Sequence, residues 1–131
     1  MKNSTVCVMK ILVVEDEPAI SEFCRRVLTS AGFEVEIAVN GKVAQEMIEK
    51  RQYGLCLFDI KTPRMNGKEL YQWLKEKHPQ QASKVIFTTG SVMGGDTMTF
   101  IEQSGNPLLP KPFTPAELEA IVRETLMQIG K

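Results

Sequence analysis

The sequence predicts an α/β fold built on a five-stranded, mainly parallel sheet. Short apolar runs alternate five times with longer segments in which apolar residues recur at helical spacing. Three of the runs are almost unbroken, as strands covered on both faces of a parallel sheet are. The chain has 131 residues, enough for one core but too few for two ordinary domains. We therefore expect one domain over residues 1–131, with its core at about residues 10–129.

The first half of the chain contains three predicted strands and two predicted helices. The strands are expected at residues 11–14, 34–37 and 55–58, and the helices at residues 20–31 and 43–48. Gly32 directly follows the first helix and favours its termination there. Glu34 and Glu36 alternate with apolar residues, which is typical of a half-exposed edge strand.

The second half supplies two further strands and three further helices. The strands are expected at residues 85–87 and 108–109, and the helices near residues 70–74, 98–102 and 115–129. Pro107 and Pro110 flank the fifth strand, which suits only a sheet edge. Thr114, Pro115 and Glu117 give the last helix an N-cap, a first-turn proline and a capping-box glutamate.

Composition excludes several classes of function. Sixteen basic and sixteen acidic residues balance, so nothing favours direct binding of nucleic acid or a membrane surface. No apolar run approaches the ~18 residues that a membrane-spanning helix needs. The first ten residues do not have the pattern of a signal peptide, and we expect a cytoplasmic location.

The cysteines do not indicate a metal site or a redox motif. Cys7, Cys24 and Cys56 are widely separated, and His78 is the only histidine. A zinc site of thiol and imidazole ligands therefore cannot be built. Because each cysteine lies in an apolar stretch, we expect buried, reduced thiols.

Chemically distinctive residues follow four of the five predicted strands. Glu15 and Asp16 follow the first strand, Asp59 the third, Thr88 and Thr89 the fourth, and Lys111 the fifth. In open α/β sheets, ligands bind beyond the carboxyl ends of the strands, where strand order reverses. With the order 2-1-3-4-5, the reversal falls between strands one and three, and the acidic residues would meet there.

These residues predict a site for phosphoryl transfer. Crowded carboxylates repel one another and should raise at least one pKa, which leaves partial protonation or a bound cation as remedies. Oxygen ligands select Mg²⁺ or Ca²⁺, and an incomplete protein cage suits Mg²⁺. Lys111 and the Thr89 hydroxyl can each bind an incoming anionic oxygen. A carboxylate nucleophile, a divalent metal, a lysine and a hydroxyl together indicate phosphorylation of an aspartate.

Four motifs in this order and spacing resemble the receiver domains of two-component response regulators. They are Val-Val-Glu-Asp-Glu-Pro at residues 13–18, Phe-Asp-Ile-Lys-Thr-Pro-Arg-Met-Asn-Gly at 58–67, Thr-Gly at 89–90 and Lys-Pro-Phe at 111–113. The resemblance extends over residues 10–129 and implies a flavodoxin-like, doubly wound sheet of order 2-1-3-4-5 with five helices. The end of strand four and the residues around the lysine look most like receivers of hybrid sensor histidine kinases, so a parent chain could be such a kinase.

The resemblance also implies a role for each site residue. Asp59 would accept a phosphoryl group from a phosphohistidine of a histidine kinase or phosphotransfer domain. Asp16, Asp59 and the Lys61 carbonyl would bind Mg²⁺ directly, with Glu15 acting through water. Thr89 and Lys111 would contact phosphoryl oxygens. Such a domain catalyses its own Mg²⁺-dependent phosphorylation and dephosphorylation, and it changes conformation to signal to an output domain or target protein. The Lys111–Pro112 bond is expected to be cis.

Two residues depart from the family pattern. Leu108 stands three positions before the lysine, where the family usually has an aromatic residue, so the usual coupling through a turning aromatic ring is not expected. Thr62 replaces a common methionine, and we expect that change to matter little.

Two alternatives stay open at this point. An aspartyl-phosphate hydrolase would share the carboxylate nucleophile, but such enzymes usually place a second aspartate two residues later, where this chain has Lys61. A receiver-like interaction module would keep the fold without turning over phosphate.

Overall fold

The computed structural model, which describes residues 9–62, 64–90 and 95–129, contains a five-stranded parallel sheet. The strands are β1 (Lys10–Val14), β2 (Glu34–Ala38), β3 (Leu55–Asp59), β4 (Val85–Thr89) and β5 (Leu108–Pro110). Their order is β2-β1-β3-β4-β5, and every neighbouring pair is parallel. The predicted strand order is confirmed, so the reversal lies between β1 and β3.

The described residues form six helices, one more than predicted. They are α1 (Pro18–Ser30), α2 (Gly41–Lys50), α3 (Gly67–Lys77), α4 (Pro79–Ala82), α5 (Gly95–Ser104) and α6 (Pro115–Ile129). The unpredicted helix is α4, whose four residues are too few to produce a helical period. A tertiary contact anchors it, because the buried Gln81 side chain bonds both the N–H and the carbonyl of Tyr53 at 3.0 Å.

Side chains of the central strands alternate between two cores on opposite faces of the sheet. Leu12 and Val14 of β1 face one core with residues of α2, α3 and α5. Ile11 and Val13 face the other core with residues of α1 and α6. Because helices cover both faces, these strands have no polar face, which explains their unbroken apolar runs.

The helix ends follow local sequence signals. At the start of α6, the Thr114 N–H donates to Glu117 Oε1 (2.8 Å) and the Glu117 N–H donates to Thr114 Oγ1 (3.1 Å), so the predicted capping box is confirmed. Asn66 and Glu69 form a second capping box at the start of α3. Gly32 has a φ of 100°, a conformation that suits glycine and lets the chain turn from α1 into β2.

Two other expectations concern the thiols and the membrane. Cys24 and Cys56 are buried free thiols, as predicted, whereas Cys7 lies outside the described residues. None of the helices in the described ranges combines the length and the apolar character needed to cross a bilayer.

Candidate functional site

The register of the sheet brings Glu15 and Asp59 side by side. Val14 lies opposite Phe58, and Glu15 and Asp59 are each the next residue along neighbouring parallel strands. Thr88 of β4 lies opposite Asp59 on its other side. The two carboxylates therefore leave the sheet at the position where strand order reverses, which is where ligands bind in open α/β folds.

Asp16 completes an acidic cluster at this position. One carboxylate oxygen from each of Glu15, Asp16 and Asp59 lies within 4.8 Å of the other two. Glu15 is 3% exposed and Asp59 is 5% exposed, whereas Asp16 is open to solvent. Two carboxylates of the cluster are thus buried, and the third faces solvent.

Lys111 joins this cluster from the far edge of the sheet. Its Nζ lies 2.8 Å from Glu15 Oε1 and 3.2 Å from Asp59 Oδ2. Its backbone N–H donates to the Thr89 carbonyl (3.0 Å), and the following Lys111–Pro112 bond is cis, as expected. Residues separated by nearly a hundred positions in the sequence therefore converge on one rim.

Burial and charge pairing determine the pKa values of this cluster. Burial raises the pKa of Glu15, and the hydrogen bond from Lys111 only partly opposes that effect. The neighbouring Asp59 charge adds to the rise, as crowding predicts, but desolvation is the larger cause. Burial acts to lower the pKa of Lys111, but its bonds to Glu15 and Asp59 more than offset this and raise it.

The remaining predicted site residues are Thr89 and Lys61. Thr89 is the last residue of β4 and is 1% exposed, and its carbonyl holds the Lys111 backbone. The Lys61 N–H donates to Asp59 Oδ1 at 3.2 Å, so the Lys61 backbone lies against the Asp59 carboxylate.

The donor set fits a divalent cation. Three carboxylates and one ammonium leave two negative charges, which one divalent ion would neutralise. The donors are oxygens, the ligand type that Mg²⁺ and Ca²⁺ prefer. Ligands of one Mg²⁺ lie at most about 4.2 Å apart, so small side-chain movements would bring these oxygens into coordinating positions.

An apolar groove adjoins the cluster. It has a volume of about 490 Å³ and is lined by residues of α1 and of the segment after β5, chiefly Ile20, Phe23, Lys111, Pro112 and Phe113. Phe23 and Phe113 pack against each other in its wall, with their ring centroids 5.9 Å apart and their planes tilted by 54°. This groove was not predicted from the sequence.

Sequence reasoning also missed the residues that hold the turn after Asp59. The Thr62 side chain is 3% exposed, and its hydroxyl lies within hydrogen-bonding distance of two backbone carbonyls. A Cβ at Gly67 would lie 2.9 Å from Ile60 Cα and 3.0 Å from the Asp59 carbonyl oxygen, so glycine is required at the start of α3. The Asn-Gly pair at residues 66–67 was the only sequence signal for this contact.

Leu108, which occupies the position where receiver domains usually have an aromatic residue, has aromatic neighbours. Leu108 lies opposite Phe87 and packs against the core that contains it. Tyr71 and Phe100 each lie 5.3 Å from Phe87, and 5.7 Å from each other, between ring centroids. Aromatic packing beside β5 therefore comes from α3, β4 and α5.

Comparison with known proteins identifies the family of this chain. Residues 11–123 match the family model described as the response regulator receiver domain, and the chain belongs to that family. Response regulator Rre1 of Synechocystis is 34% identical over 119 residues, which cover 90% of this chain and 52% of that protein. The family's general role is that of a phosphoacceptor in two-component signal transduction, and this is the function of the domain.

Solved structures show the same fold. A CheY-like receiver domain protein from Methanospirillum hungatei superposes with a TM-score of 0.87 at 31% identity, covering 95% of this chain and 98% of its own. The receiver domain of a signal transduction histidine kinase from Syntrophus aciditrophicus gives a TM-score of 0.84 at 25% identity, with coverage of 95% and 94%. The chain spans about half or less of the length of the curated relatives it matches, 52%, 20% and 50% for the first three.

Proposed function

We propose that Asp59 is the phosphoacceptor and that it receives its phosphoryl group, with Mg²⁺, from a phosphohistidine of a histidine kinase or phosphotransfer domain. One observation carries the proposal. Lys111 Nζ lies 3.2 Å from Asp59 Oδ2 although 52 positions separate the two residues, and the other two carboxylates surround this pair. A phosphoryl group attached to Asp59 would add negative oxygens beside that ammonium.

The hydrogen bonds of Glu15 support different roles for the two acidic residues after β1. Glu15 Oε1 pairs with Lys111, and Glu15 Oε2 accepts the Glu17 N–H at 3.2 Å. Both of its oxygens are therefore engaged, which favours contact with Mg²⁺ through water. Asp16 is exposed and would bind the ion directly, together with Asp59 and the Lys61 carbonyl. When bound, Mg²⁺ would neutralise charge on the oxygens of the transferred group.

The chemical step would transfer the phosphoryl group from the donor imidazole to Asp59. An Asp59 carboxylate oxygen attacks phosphorus, the P–N bond to the donor imidazole breaks, and the imidazole nitrogen keeps the electron pair. The Lys61 N–H and the Lys111 ammonium hold the two Asp59 oxygens before the attack. As the phosphoryl group arrives, Lys111 and the Thr89 hydroxyl bond to its oxygens, where charge must be stabilised. Later attack by water on phosphorus releases inorganic phosphate and regenerates Asp59.

Family membership supports a proposal for the partners and location of this domain. Receiver domains interact with kinases and with output domains. We assign residues 10–129 to the receiver domain, a cytoplasmic location to it, and signalling to an output domain or target protein through a conformational change. Membership of a hybrid kinase stays a prediction, because both a histidine kinase receiver and a CheY-like protein resemble this chain.

The hydrolase alternative is less well supported. The position two residues after Asp59 is Lys61, which has no carboxylate to act as the acid or base. Its backbone N–H instead bonds Asp59 Oδ1. An interaction module without phosphate chemistry would have no need for the buried, mutually repelling carboxylates of this cluster.

The test is labelling by a small phosphodonor, phosphoramidate, with Mg²⁺. The wild-type chain should take up one phosphoryl group, Asp59→Asn should take up none, and the exposed control Asp96→Asn should match wild type. Omission of Mg²⁺ should abolish uptake. Label that persists in Asp59→Asn would contradict the assignment.

A further inference from the structure

Thr62 places a buried hydroxyl between the two sides of the turn that follows Asp59. Its Oγ1 lies 3.4 Å from the Asp59 carbonyl oxygen and 3.2 Å from the Met65 carbonyl oxygen. A threonine hydroxyl has one proton to donate, so the two carbonyls share it or receive it in turn. The side chain thus links the phosphoacceptor backbone to a residue six positions further along the chain.

The backbone bonds of the same turn fix the direction of the Lys61 carbonyl. The Thr62 N–H donates to the Asp59 carbonyl at 3.4 Å. The Lys61 carbonyl belongs to the same planar, trans peptide unit, and it points opposite to that N–H. Whatever holds Thr62 in place therefore also orients the Lys61 carbonyl.

The second carbonyl that Thr62 contacts is itself held firmly. A Cβ at Gly41, the first residue of α2, would overlap the Met65 carbonyl oxygen, so the two backbones are in close contact. On the other side of the turn, the Gly67 N–H donates to the Ile60 carbonyl at 3.0 Å. The Thr62 hydroxyl therefore connects the turn to fixed points and not to a mobile loop.

We propose that Thr62 is a positioning residue, whose hydroxyl holds the Lys61 carbonyl in the direction needed to bind the metal. The inference rests on the proposed function, because it assumes that this carbonyl is a Mg²⁺ ligand. A methionine or valine at this position has no hydroxyl and could not bond either carbonyl. Thr62 was expected to matter little, and this proposal gives it a role in metal binding.

The experiment compares Thr62→Val, which has the same shape without the hydroxyl, with Thr62→Ser, which keeps it. Mg²⁺ affinity is measured by calorimetry, and the labelling rate of Asp59 by phosphoramidate. The valine variant should raise the Mg²⁺ Kd about five-fold, the usual effect of one hydrogen bond, and serine should restore it to within about two-fold. A purely structural role would change the unfolding temperature without changing the Kd.

A matched control lies far from the site. The Thr125 hydroxyl donates to the Ile121 carbonyl at 2.7 Å within α6, so Thr125→Val also removes one hydroxyl bond. This variant should keep the wild-type Kd. A wild-type Kd in Thr62→Val would overturn the proposal, whatever the stability of that variant.

Two further outcomes are informative. If the valine variant does not fold, Thr62→Met is measured in its place with the same expected rise in Kd, and failure of both to fold would overturn the positioning role in favour of a structural one. Failure of the proposed function looks different. In that case the wild-type chain itself shows no Mg²⁺-dependent label on Asp59.

Discussion

Charged residues gather at two places on this sheet, and the two clusters differ in how their charges balance. At the carboxyl end, Glu15, Asp16, Asp59 and Lys111 leave two negative charges in a largely buried setting. Near the amino end, Lys10 and Arg51 pair with Glu34 and Glu36, so that cluster is neutral. In the neutral cluster the ion pairs satisfy all four charges. In the other cluster the two remaining negative charges favour the binding of a cation.

The buried Glu15 and the half-buried Glu36 show the difference most directly. A hydrogen bond from the Tyr53 hydroxyl, 2.6 Å from Oε1, is the main cause that lowers the pKa of Glu36, and Arg51 and Lys10 add to it. Burial raises the pKa of Glu15 although Lys111 lies 2.8 Å away. The fold thus favours the charge on Glu36 and disfavours that on Glu15, chiefly because Glu15 is buried and also because the neighbouring Asp59 is negatively charged.

The largest expected effect comes from removing the cation of the negatively charged cluster. Lys111→Met should slow phosphorylation of Asp59 about 100-fold or more, because the oxygens of the transferred group lose their ammonium partner. The same variant should bind Mg²⁺ more tightly, since a competing positive charge is gone. Labelling kinetics and calorimetry measure both. Lys10→Met, in the neutral cluster, is the control, and its Asp59 should be labelled at the wild-type rate. A wild-type rate in Lys111→Met would contradict the role given to Lys111.

A smaller effect distinguishes the two acidic residues after β1. Asp16→Asn should weaken Mg²⁺ binding by about ten-fold or more, because it removes a directly coordinating charge. Glu15→Gln should weaken it less, since both Glu15 oxygens already have partners. Mg²⁺ titration of each variant measures this, with the neighbouring Glu17→Gln as the control. Equal losses for Asp16 and Glu15 would contradict the assignment.

The smallest effect belongs to the neutral cluster and concerns stability. Tyr53→Phe should lower the free energy of unfolding at neutral pH by about 1–2 kcal/mol, because Glu36 loses its hydroxyl partner. Since the pKa of Glu36 is lowered on folding, its contribution is complete above its ordinary value of 4.5 and is lost as pH falls through the folded-state pKa. The difference from wild type should therefore shrink on acidification, as urea unfolding between pH 3 and 7 would measure.

Tyr71→Phe is the matched control for that experiment. The Tyr71 hydroxyl lies near the Ser104 carbonyl and Asn106 Oδ1, which do not titrate. Its stability cost should stay constant over the same pH range. A Tyr53→Phe difference that grows as pH falls would show that Glu36 is not stabilised in its charged form.

Local sequence signals accounted for most of the fold. Unbroken apolar runs predicted strands covered on both faces, and the capping box at Thr114 and Glu117 marked the start of α6. The helix α4 was missed, because long-range bonds anchor so short a segment, namely those between Gln81 and Tyr53 and the one from Asn106 to the Ala82 carbonyl.

The sequence by itself determined which chemical groups stand at the strand ends, because strand and helix periods are local and the carboxyl ends of parallel strands share one edge. Only the tertiary structure decided which oxygens of Glu15 are already engaged, and that the Thr62 hydroxyl lies against two carbonyls. These contacts depend on side-chain packing around turns and across strands. Sequence spacing does not encode such distances, so the types of groups were predictable and their partners were not.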